Sequence, residues 1–301
     1  MIKVIRFFAI CTIGIAFATL STASAQTYTQ IDYPNAITTE IDGGPNLEGT
    51  SVGSWVDTNG VFHGFSLTAN GVFQTFDPPG SAYTTPGFIN NQGVIVGVYL
   101  DSSSVSHGFI FFKGKYTVVN VAGAAGTTLS GINDLNEISG ATCTDPACGL
   151  TGNSNTSESF VKSRFGDYDF FNPPGATSSQ TSSVSLAGAV VGDYTNAESE
   201  LSHGYLLFQG EYSTIDFPGA RYGTFAGGGN VANDVVGIYN YAGCTADCDH
   251  AFELRKGVYT SFDFPGATTT EATGINASGV IVGIFMDSSN NFHGFIRTPG
   301  D

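Results

Sequence analysis

The chain has 301 residues, with 10 Lys and Arg against 26 Asp and Glu, for a formal net charge of −16. Charged residues make up only 12% of the sequence and aromatic residues 13%, including 24 Phe and 13 Tyr. A chain with so few charges and so many rings can bury a large core, which excludes intrinsic disorder. The acidic excess argues against nucleic acid as a partner, because phosphate binding requires a basic face.

The first 25 residues have the pattern of a secretory signal peptide. Lys3 and Arg6 form a positive start, Phe7 to Leu20 is apolar, and Ala23 to Ala25 has the small residues of a cleavage site. The apolar run of about 14 residues is shorter than the roughly 20 that a membrane helix needs. We therefore expect a mature chain from Gln26 onward that is secreted or periplasmic, without membrane insertion after cleavage.

Residues 26–301 contain six copies of a repeat of about 45 residues, which we expect to form a single domain. Each copy has an Asp or Asn at a turn, a glycine within a strand, and a later aromatic residue with a histidine two positions before it. The turn residues are Asp32, Asp77, Asn120, Asn172, Asp216 and Asp263. The strand glycines are Gly53, Gly97, Gly140, Gly192, Gly237 and Gly283. The aromatic residues are Phe65, Phe109, Phe160, Tyr205, Phe252 and Phe295. The preceding residues are His63, His107, His203, His250 and His293, with Glu158 as the one exception.

Each copy has the pattern of four short β-strands separated by Gly, Asn, Asp and Pro turns, and almost no helix is expected. Four strands in about 45 residues are typical of a β-propeller blade. The mature chain begins with a strand of the fourth type, Thr27 to Tyr33, while the last copy ends after its third strand. The sequence therefore predicts an all-β, six-bladed propeller in which the N-terminal strand completes the last blade. A β-solenoid or a stack of two sheets is the alternative.

The repeat resembles the HAF family of bacterial extracellular repeats, named for a His-Ala-Phe tripeptide. That tripeptide occurs here as His250, Ala251 and Phe252, and four other copies have His-Gly-Phe or His-Gly-Tyr. The resemblance covers essentially all of residues 26–301. It implies an exported, propeller-like protein and no defined activity, so it assigns no catalytic residue.

Residues present in every copy are expected to build the blade rather than an active site. Asp57 and His63 stand six residues apart across a predicted hairpin, a spacing that sets a carboxylate beside an imidazole and ties the turn. The same spacing recurs in Asp101 and His107, and in Asp287 and His293. Metal ligation or acid–base chemistry by these pairs is the alternative.

Two further repeated positions also have a structural interpretation. The Asp or Asn before each Pro-Gly turn is expected to cap that turn through its own backbone. A ring of these groups around Ca²⁺ is the alternative, so calcium stays open as a cofactor and none other is predicted. Trp55 shares its position with Tyr99, Tyr194, Tyr239 and Phe285, which indicates packing within the blade.

The third copy departs most from the pattern. Thr142 replaces the aromatic residue of the second strand, and Glu158 with Ser159 replaces His-Gly. Insertions follow the second strand in the third and fifth copies, and each contains two cysteines. In an exported protein we expect disulfides between neighbours, Cys143 with Cys148 and Cys244 with Cys248. The loops are expected to protrude, and either they contact a partner or they are ordinary variation of a surface loop. Zinc bound by Cys244, Cys248 and His250, or by all four thiolates, is the alternative.

The predicted innermost strands carry mostly Thr, Ser or Gly, and the exceptions form the candidate ligand site. They are Glu40, Asp42, Tyr83, Gln180, Arg221, Tyr222 and Glu271. Aromatic faces and an Arg at the funnel of a propeller suit a sugar or a peptide. We therefore expect a monomeric, non-enzymatic propeller that binds a protein or polysaccharide partner, with no catalytic residue and no metal. One alternative is a hydrolase or lyase for extracellular carbohydrates or esters, for which Glu40 and Glu271 supply two carboxylates. A structural envelope component is the other.

Overall fold

The computed structural model of the chain describes residues 26–150, 156–198, 201–241 and 249–300. The predicted signal peptide, residues 1–25, lies outside the described residues, and so do Cys244 and Cys248 with their predicted disulfide. The described residues form 24 β-strands and no helix, as the sequence predicts. No helix long and apolar enough to cross a membrane occurs in these ranges.

A short N-terminal strand, β1 (Thr27–Ile31), precedes six consecutive units. Unit one contains β2 (Thr38–Gly43), β3 (Ser51–Val56), β4 (Phe62–Leu67) and β5 (Phe73–Phe76). Unit two contains β6 (Ser81–Ile89), β7 (Ile95–Asp101), β8 (Ser106–Phe112) and β9 (Lys115–Val119). Unit three contains β10 (Gly126–Ile132), β11 (Ile138–Cys143), β12 (Ser157–Lys162) and β13 (Tyr168–Phe171).

The second half of the chain repeats this arrangement. Unit four contains β14 (Ala176–Val184), β15 (Val190–Asn196), β16 (Ser202–Phe208) and β17 (Glu211–Ile215). Unit five contains β18 (Ala220–Gly229), β19 (Val235–Tyr241), β20 (His250–Arg255) and β21 (Val258–Phe262). Unit six contains β22 (Thr269–Ile275), β23 (Ile281–Met286) and β24 (Phe292–Thr298).

Within each unit the strands pair antiparallel in chain order, so that the first strand is at one edge and the last at the other. Units one, two and three are separate four-stranded sheets. Units four and five are joined into one eight-stranded sheet by a single parallel residue pair, Ser202 with Gly223. The fold is therefore all-β and propeller-like, with four-stranded blades.

The N-terminal strand completes the last unit, as the sequence predicts. β1 pairs antiparallel with β24, from Thr27 opposite Thr298 to Ile31 opposite Gly294. This pairing gives unit six its fourth strand and covers the edge of β24, which would otherwise present unpaired backbone groups. The two ends of the described chain are thus held in one sheet.

Each repeated glycine lies directly opposite the repeated aromatic residue on the neighbouring strand, and the ring fills the space that a glycine side chain leaves free. Gly53 of β3 lies opposite Phe65 of β4, and the same pairing recurs in all six units. A Cβ atom on Gly53 would come within 2.8 Å of the Phe65 ring and 2.0 Å of the Glu40 carbonyl oxygen. The six aromatic side chains are almost completely buried and form the centres of the blade cores.

The repeated histidines hold the outer edge of five of the six units. His63 Nδ1 lies 2.8 Å from a carboxylate oxygen of Asp77, the turn residue that follows β5. Asn120, Asp216, Asp263 and Asp32 contact His107, His203, His250 and His293 in the same way, at 2.6 to 2.9 Å. The sequence predicted that these Asp and Asn side chains cap their own turns. In the structure each of them contacts a histidine instead. The turn N–H of Tyr33 donates to Thr39 Oγ1, at 2.8 Å.

The predicted carboxylate six residues before the histidine is also in place. Asp57, Asp101 and Asp287 lie 3.8, 3.3 and 3.4 Å from Nε2 of their histidines. Each of these carboxylates also accepts backbone N–H groups of its hairpin, as Asp57 does from Asn59 and Val61. The pairs are therefore part of the turn, which confirms the structural interpretation.

Asparagine side chains link neighbouring units where each first strand turns into the second. Asn46 Oδ1 accepts the N–H groups of Glu48 and Thr50, and its Nδ2 donates to the carbonyl of Asn90 in the next unit. Asn90, Asn133 and Asn230 donate to the following unit in the same way. These bonds connect turns around one end of the fold, where a small cavity of about 110 Å³ lies between them.

Candidate functional site

The first strands of all six units surround one cavity. We call β2, β6, β10, β14, β18 and β22 the inner strands, and each breaks register by one residue in its second half. The bulged residues are Asp42, Gly87, Ser130, Ser182, Gly227 and Thr273. All six line a single cavity of about 320 Å³, which we call the axial cavity. Bulges re-aim side chains, and here they aim them at the axis.

Hydroxyl groups in this ring connect neighbouring inner strands. Ser182 Oγ donates to the Ala226 carbonyl at 2.6 Å, and Thr273 Oγ1 donates to the Ile41 carbonyl at 2.7 Å. Asp42 is the ring's one ionisable residue, and its Oδ2 is buried with no hydrogen-bond partner among the described residues. In its ionised form this carboxyl would only accept hydrogen bonds and could not make the donation that Ser182 and Thr273 make.

Three further acidic residues form a chain of interacting carboxyl groups with Asp42, which runs from Asp42 through Glu40 and Glu271 to Asp249. Glu40 and Glu271 are the third residues of β2 and β22. Burial raises the pKa of Glu271 to about 7, and the charges of Asp249 and Glu40 add to the effect. Burial also raises the pKa of Glu40, against a hydrogen bond from Ser54 Oγ at 3.3 Å. The pKa of Asp42 is well above its usual range because of burial and the nearby Glu40. We call Glu40, Asp42, Asp249 and Glu271 the acidic cluster.

Tyr83 lies beside the acidic cluster. Its ring packs on Phe62 with centroids 4.7 Å apart. Burial raises the pKa of Tyr83, and the charges of Asp42 and Glu40 raise it further, which places the phenol beside the acidic cluster. We call the opening formed by Tyr83 and the acidic cluster the axial mouth. It combines one aromatic ring with four carboxyl groups, and burial raises the pKa of three of them, Glu40, Asp42 and Glu271.

The structure brings together four of the seven predicted binding residues, namely Glu40, Asp42, Tyr83 and Glu271. Gln180 is exposed and lines the axial cavity, as Asp42 does. Arg221 and Tyr222 are exposed at the start of β18, where the Arg221 guanidinium lies 5.7 Å from the Tyr222 ring centre. No described contact joins these two residues to the axial mouth.

The insertion of the third repeat folds toward the axis. Cys143 and Cys148 form the predicted disulfide. Ser106 of β8 donates its N–H to the Pro146 carbonyl at 2.7 Å and its Oγ–H to Cys148 Sγ at 2.9 Å. Cys148 and Leu150 then line the axial cavity. The loop was expected to protrude, and this inward packing corrects that expectation for residues 143–150.

The described end of the second insertion also reaches the axial mouth. The Asp249 carbonyl accepts the N–H of Thr270 at 2.9 Å, which holds Asp249 beside β22. Asp249, Glu271 and Phe292 line one cleft of about 400 Å³. Sequence reasoning did not propose Asp249 or Leu150 as site residues, because insertions lie outside the repeat pattern. Nothing in the sequence of the two insertions indicates that they pack toward the axial cavity.

Metal ligation receives no geometric support within residues 26–150, 156–198, 201–241 and 249–300. No group of three or more His, Cys, Asp or Glu side chains in these ranges is arranged to hold a metal ion. The alternative zinc site depends on Cys244 and Cys248, which lie outside them. The predicted calcium ring would need the turn acids near the axis, whereas Asp77 and its counterparts follow the outermost strands and contact histidines.

No protein-family model matches the chain, and no curated protein matches it. Several solved structures do. The fucose-recognising, six-bladed propeller lectin of Aleuria aurantia aligns with a TM-score of 0.53 at 10% identity, over 89% of this chain and 93% of the lectin. A mutant of AofleA from Arthrobotrys oligospora aligns with a TM-score of 0.55 at 10% identity, over 94% and 90%. A gluconolactonase from Xanthomonas campestris aligns with a TM-score of 0.50 at 10% identity, over 94% and 99%. At these identities the similarity shows a propeller-like fold alone.

Proposed function

We propose that the chain is an exported, six-bladed propeller of the HAF-repeat type that binds a saccharide partner at the axial mouth without catalysis. Two observations support six blades. All six inner strands contribute a bulged residue to one cavity, and units four and five are joined by only one residue pair. Export is supported by the signal-peptide pattern of residues 1–25 and by the Cys143–Cys148 disulfide.

The class of ligand is inferred from the side chains of the axial mouth. A carboxyl group that keeps its proton near pH 7, such as that of Glu271, both donates and accepts hydrogen bonds. Tyr83 adds an aromatic face, and hydroxyls of the bulge ring lie below it. Neutral hydroxyl groups satisfy such a lining, whereas a phosphate or sulfate would be repelled by it. A neutral saccharide is therefore the best fit, and we expect a monomer to bind it.

An immobilised panel of neutral oligosaccharides tests the proposal with the mature chain, residues 26–301. Tyr83→Ala and Glu271→Gln should each weaken binding at least tenfold while the melting temperature stays within a few degrees. Phe165→Ala and Glu211→Gln are matched controls, since both residues are exposed and distant from the inner strands. Binding that is unchanged in both axial variants would contradict the proposal.

A second candidate is glycoside hydrolysis at the same place. Glu40 raises the pKa of Glu271, so the two carboxyl groups lie close enough to interact, and a carboxyl of pKa about 7 has the property of a general acid. The test is release of reducing ends from the bound saccharides. In an enzyme Glu271→Gln would abolish turnover and leave binding intact, whereas in a binding protein no turnover is present to lose.

A further inference from the structure

The third unit lacks an aromatic stack that the other five units possess. In those units an aromatic side chain of the second strand packs on the histidine directly opposite it on the third strand. The ring centres of Trp55 and His63 are 4.7 Å apart, and those of Phe285 and His293 are 4.9 Å apart. Tyr99, Tyr194 and Tyr239 pack on their histidines at 5.0 to 5.6 Å. In unit three this register pairs Thr142 with Glu158.

The smaller side chains leave an open cleft. It has a volume of about 610 Å³ and is lined by Thr142, Thr144, Glu158 and Asn172, with Gly123 and its neighbours along one wall. A volume of this order is in the usual range for small-ligand sites. We call it the third-unit cleft. It is separate from the axial cavity, with which it shares no lining residue.

A buried chain of hydrogen bonds orients the polar groups of the cleft. Ser179 Oγ donates to Asn172 Oδ1 at 2.6 Å, and Ser179 and Ser159, both almost completely buried, are joined by a bond of 2.7 Å. Because Asn172 Oδ1 is engaged in this way, its Nδ2 faces Glu158 and donates to Oε1 at 3.5 Å. Tyr205 extends the chain, with its hydroxyl 3.3 Å from Ser159 Oγ. The direction of the Asn172 amide is therefore determined from inside the protein.

The lining also restricts the charge of a ligand. Glu158 is exposed, and no cationic side chain of the described residues pairs with it. The lining contains no Lys, Arg or His, whereas it contains one carboxylate, one amide and several hydroxyl groups. Such a set accepts hydrogen bonds from hydroxyl or amino groups and repels phosphate, sulfate and uronate ligands.

We propose that unit three carries a second saccharide site, in which Glu158 and Asn172 bind the hydroxyl or amino groups of a neutral or amino sugar in the third-unit cleft. Loss of the repeated histidine and aromatic residue in this one unit is then the change that creates the site. The proposal does not depend on binding at the axial mouth. It does predict that the chain can hold two saccharide units at once.

The decisive variant fills the cleft by giving unit three the aromatic residue and the histidine that the other units have at these two positions. Thr142→Tyr combined with Glu158→His should restore the stack, and the new histidine should contact Asn172 as His107 contacts Asn120, at 2.9 Å. We expect this double variant to melt no lower than the wild type and to lose binding to the cleft. Glu158→Gln should weaken binding at least tenfold, with Glu211→Gln as the control for loss of one exposed carboxylate.

The probe is an immobilised panel of neutral and amino oligosaccharides, applied to the wild type, the refilled variant and the axial variant Tyr83→Ala with Glu271→Gln. In the axial variant any remaining binding comes from the third-unit cleft, and its loss by at least tenfold when Thr142→Tyr and Glu158→His are added supports the inference. Remaining binding that these two substitutions leave unchanged overturns it. An axial variant that binds nothing also overturns it and supports only the proposed function. A wild type that binds no member of the panel overturns both.

Discussion

Asp32 Oδ1 lies 2.6 Å from His293 Nδ1, in a contact between residues 261 positions apart in the sequence. Asp32 directly follows β1, and His293 belongs to β24, so the bond reinforces the closing pair of strands. The same contact occurs in other units between neighbouring repeats, as in His203 with Asp216, only 13 positions apart. One repeated interaction therefore serves local packing in most units and closure of the chain in one.

This relationship predicts different consequences for two equivalent substitutions. His293→Ala and His203→Ala should each lower the free energy of unfolding by about 1 kcal/mol, the usual value of one hydrogen bond. Only His293→Ala should also speed amide hydrogen exchange in β1, because it loosens the strand that closes unit six. Equal exchange of β1 amides in the two variants would show that strand pairing alone holds the closure.

The aromatic stacks should carry much of the stability of the blades. Tyr239 is buried, stacks on Phe217 with ring centres 3.6 Å apart, and donates to Ser261 Oγ at 2.8 Å. Tyr239→Ala should destabilise the protein by about 3 to 5 kcal/mol, measured by denaturant unfolding. Thr142→Ala, at the equivalent position of unit three, is the matched control and should cost less than about 1 kcal/mol. Similar losses for both would contradict the role of the stack.

The raised pKa of Glu271 predicts that stability falls as pH rises. Below about pH 4.5 this carboxyl is protonated in both folded and unfolded chains, and its contribution is lost as pH rises through the folded value of about 7. Glu271→Gln removes the cost of ionisation, so at pH 8 it should stabilise the fold by roughly 1 to 3 kcal/mol. At pH 4 the variant should match the wild type. Thermal unfolding at both pH values measures the difference.

Asp42 should be replaceable by a hydroxyl residue with a gain in stability. Asp42→Ser would place in unit one the group that Ser182 supplies in unit four, where it donates to the next inner strand. The substitution removes a buried carboxyl whose raised pKa shows that its charged form is poorly stabilised, so the melting temperature at pH 8 should rise by several degrees. Ser182→Ala, which removes a donor of the same ring, should lower it. A fall in the Asp42→Ser variant would show that the carboxyl has a partner that the substitution breaks.

The disulfide should matter more for the axial cavity than for global stability. It closes a loop with a sequence separation of 5, for which the chain-entropy estimate is only about 2 kcal/mol. Cys143→Ser with Cys148→Ser should therefore leave a cooperative unfolding transition at a slightly lower temperature. Because Leu150 follows this loop into the axial cavity, limited proteolysis should cut near residue 150 faster in the variant. Equal cleavage rates would mean that the Ser106 contacts alone hold the loop.

Features of this protein that depend on short spacing follow from its sequence alone. Strands follow from alternation and turn residues, and the position of Gly53 relative to Phe65 within one hairpin is visible in each repeat. The offset of the first strand predicted its pairing with β24, and two nearby cysteines in a chain with a predicted signal peptide predicted the disulfide of unit three. The proximity of Asp57 and His63 also follows from a six-residue hairpin spacing.

Which distant residues come into contact depends on how the strands pack in three dimensions. Glu40 and Glu271 lie near opposite ends of the chain, and whether their charges interact depends on how the ring of strands closes. The bulge that turns Asp42 toward the axis arises from a register shift between neighbouring strands, which repeat spacing does not encode. Burial of these groups, and with it their pKa values, is a property of every surrounding strand at once. For the same reason the substitutions at Thr142 and Glu158 were visible in the sequence, whereas the cleft between them was not.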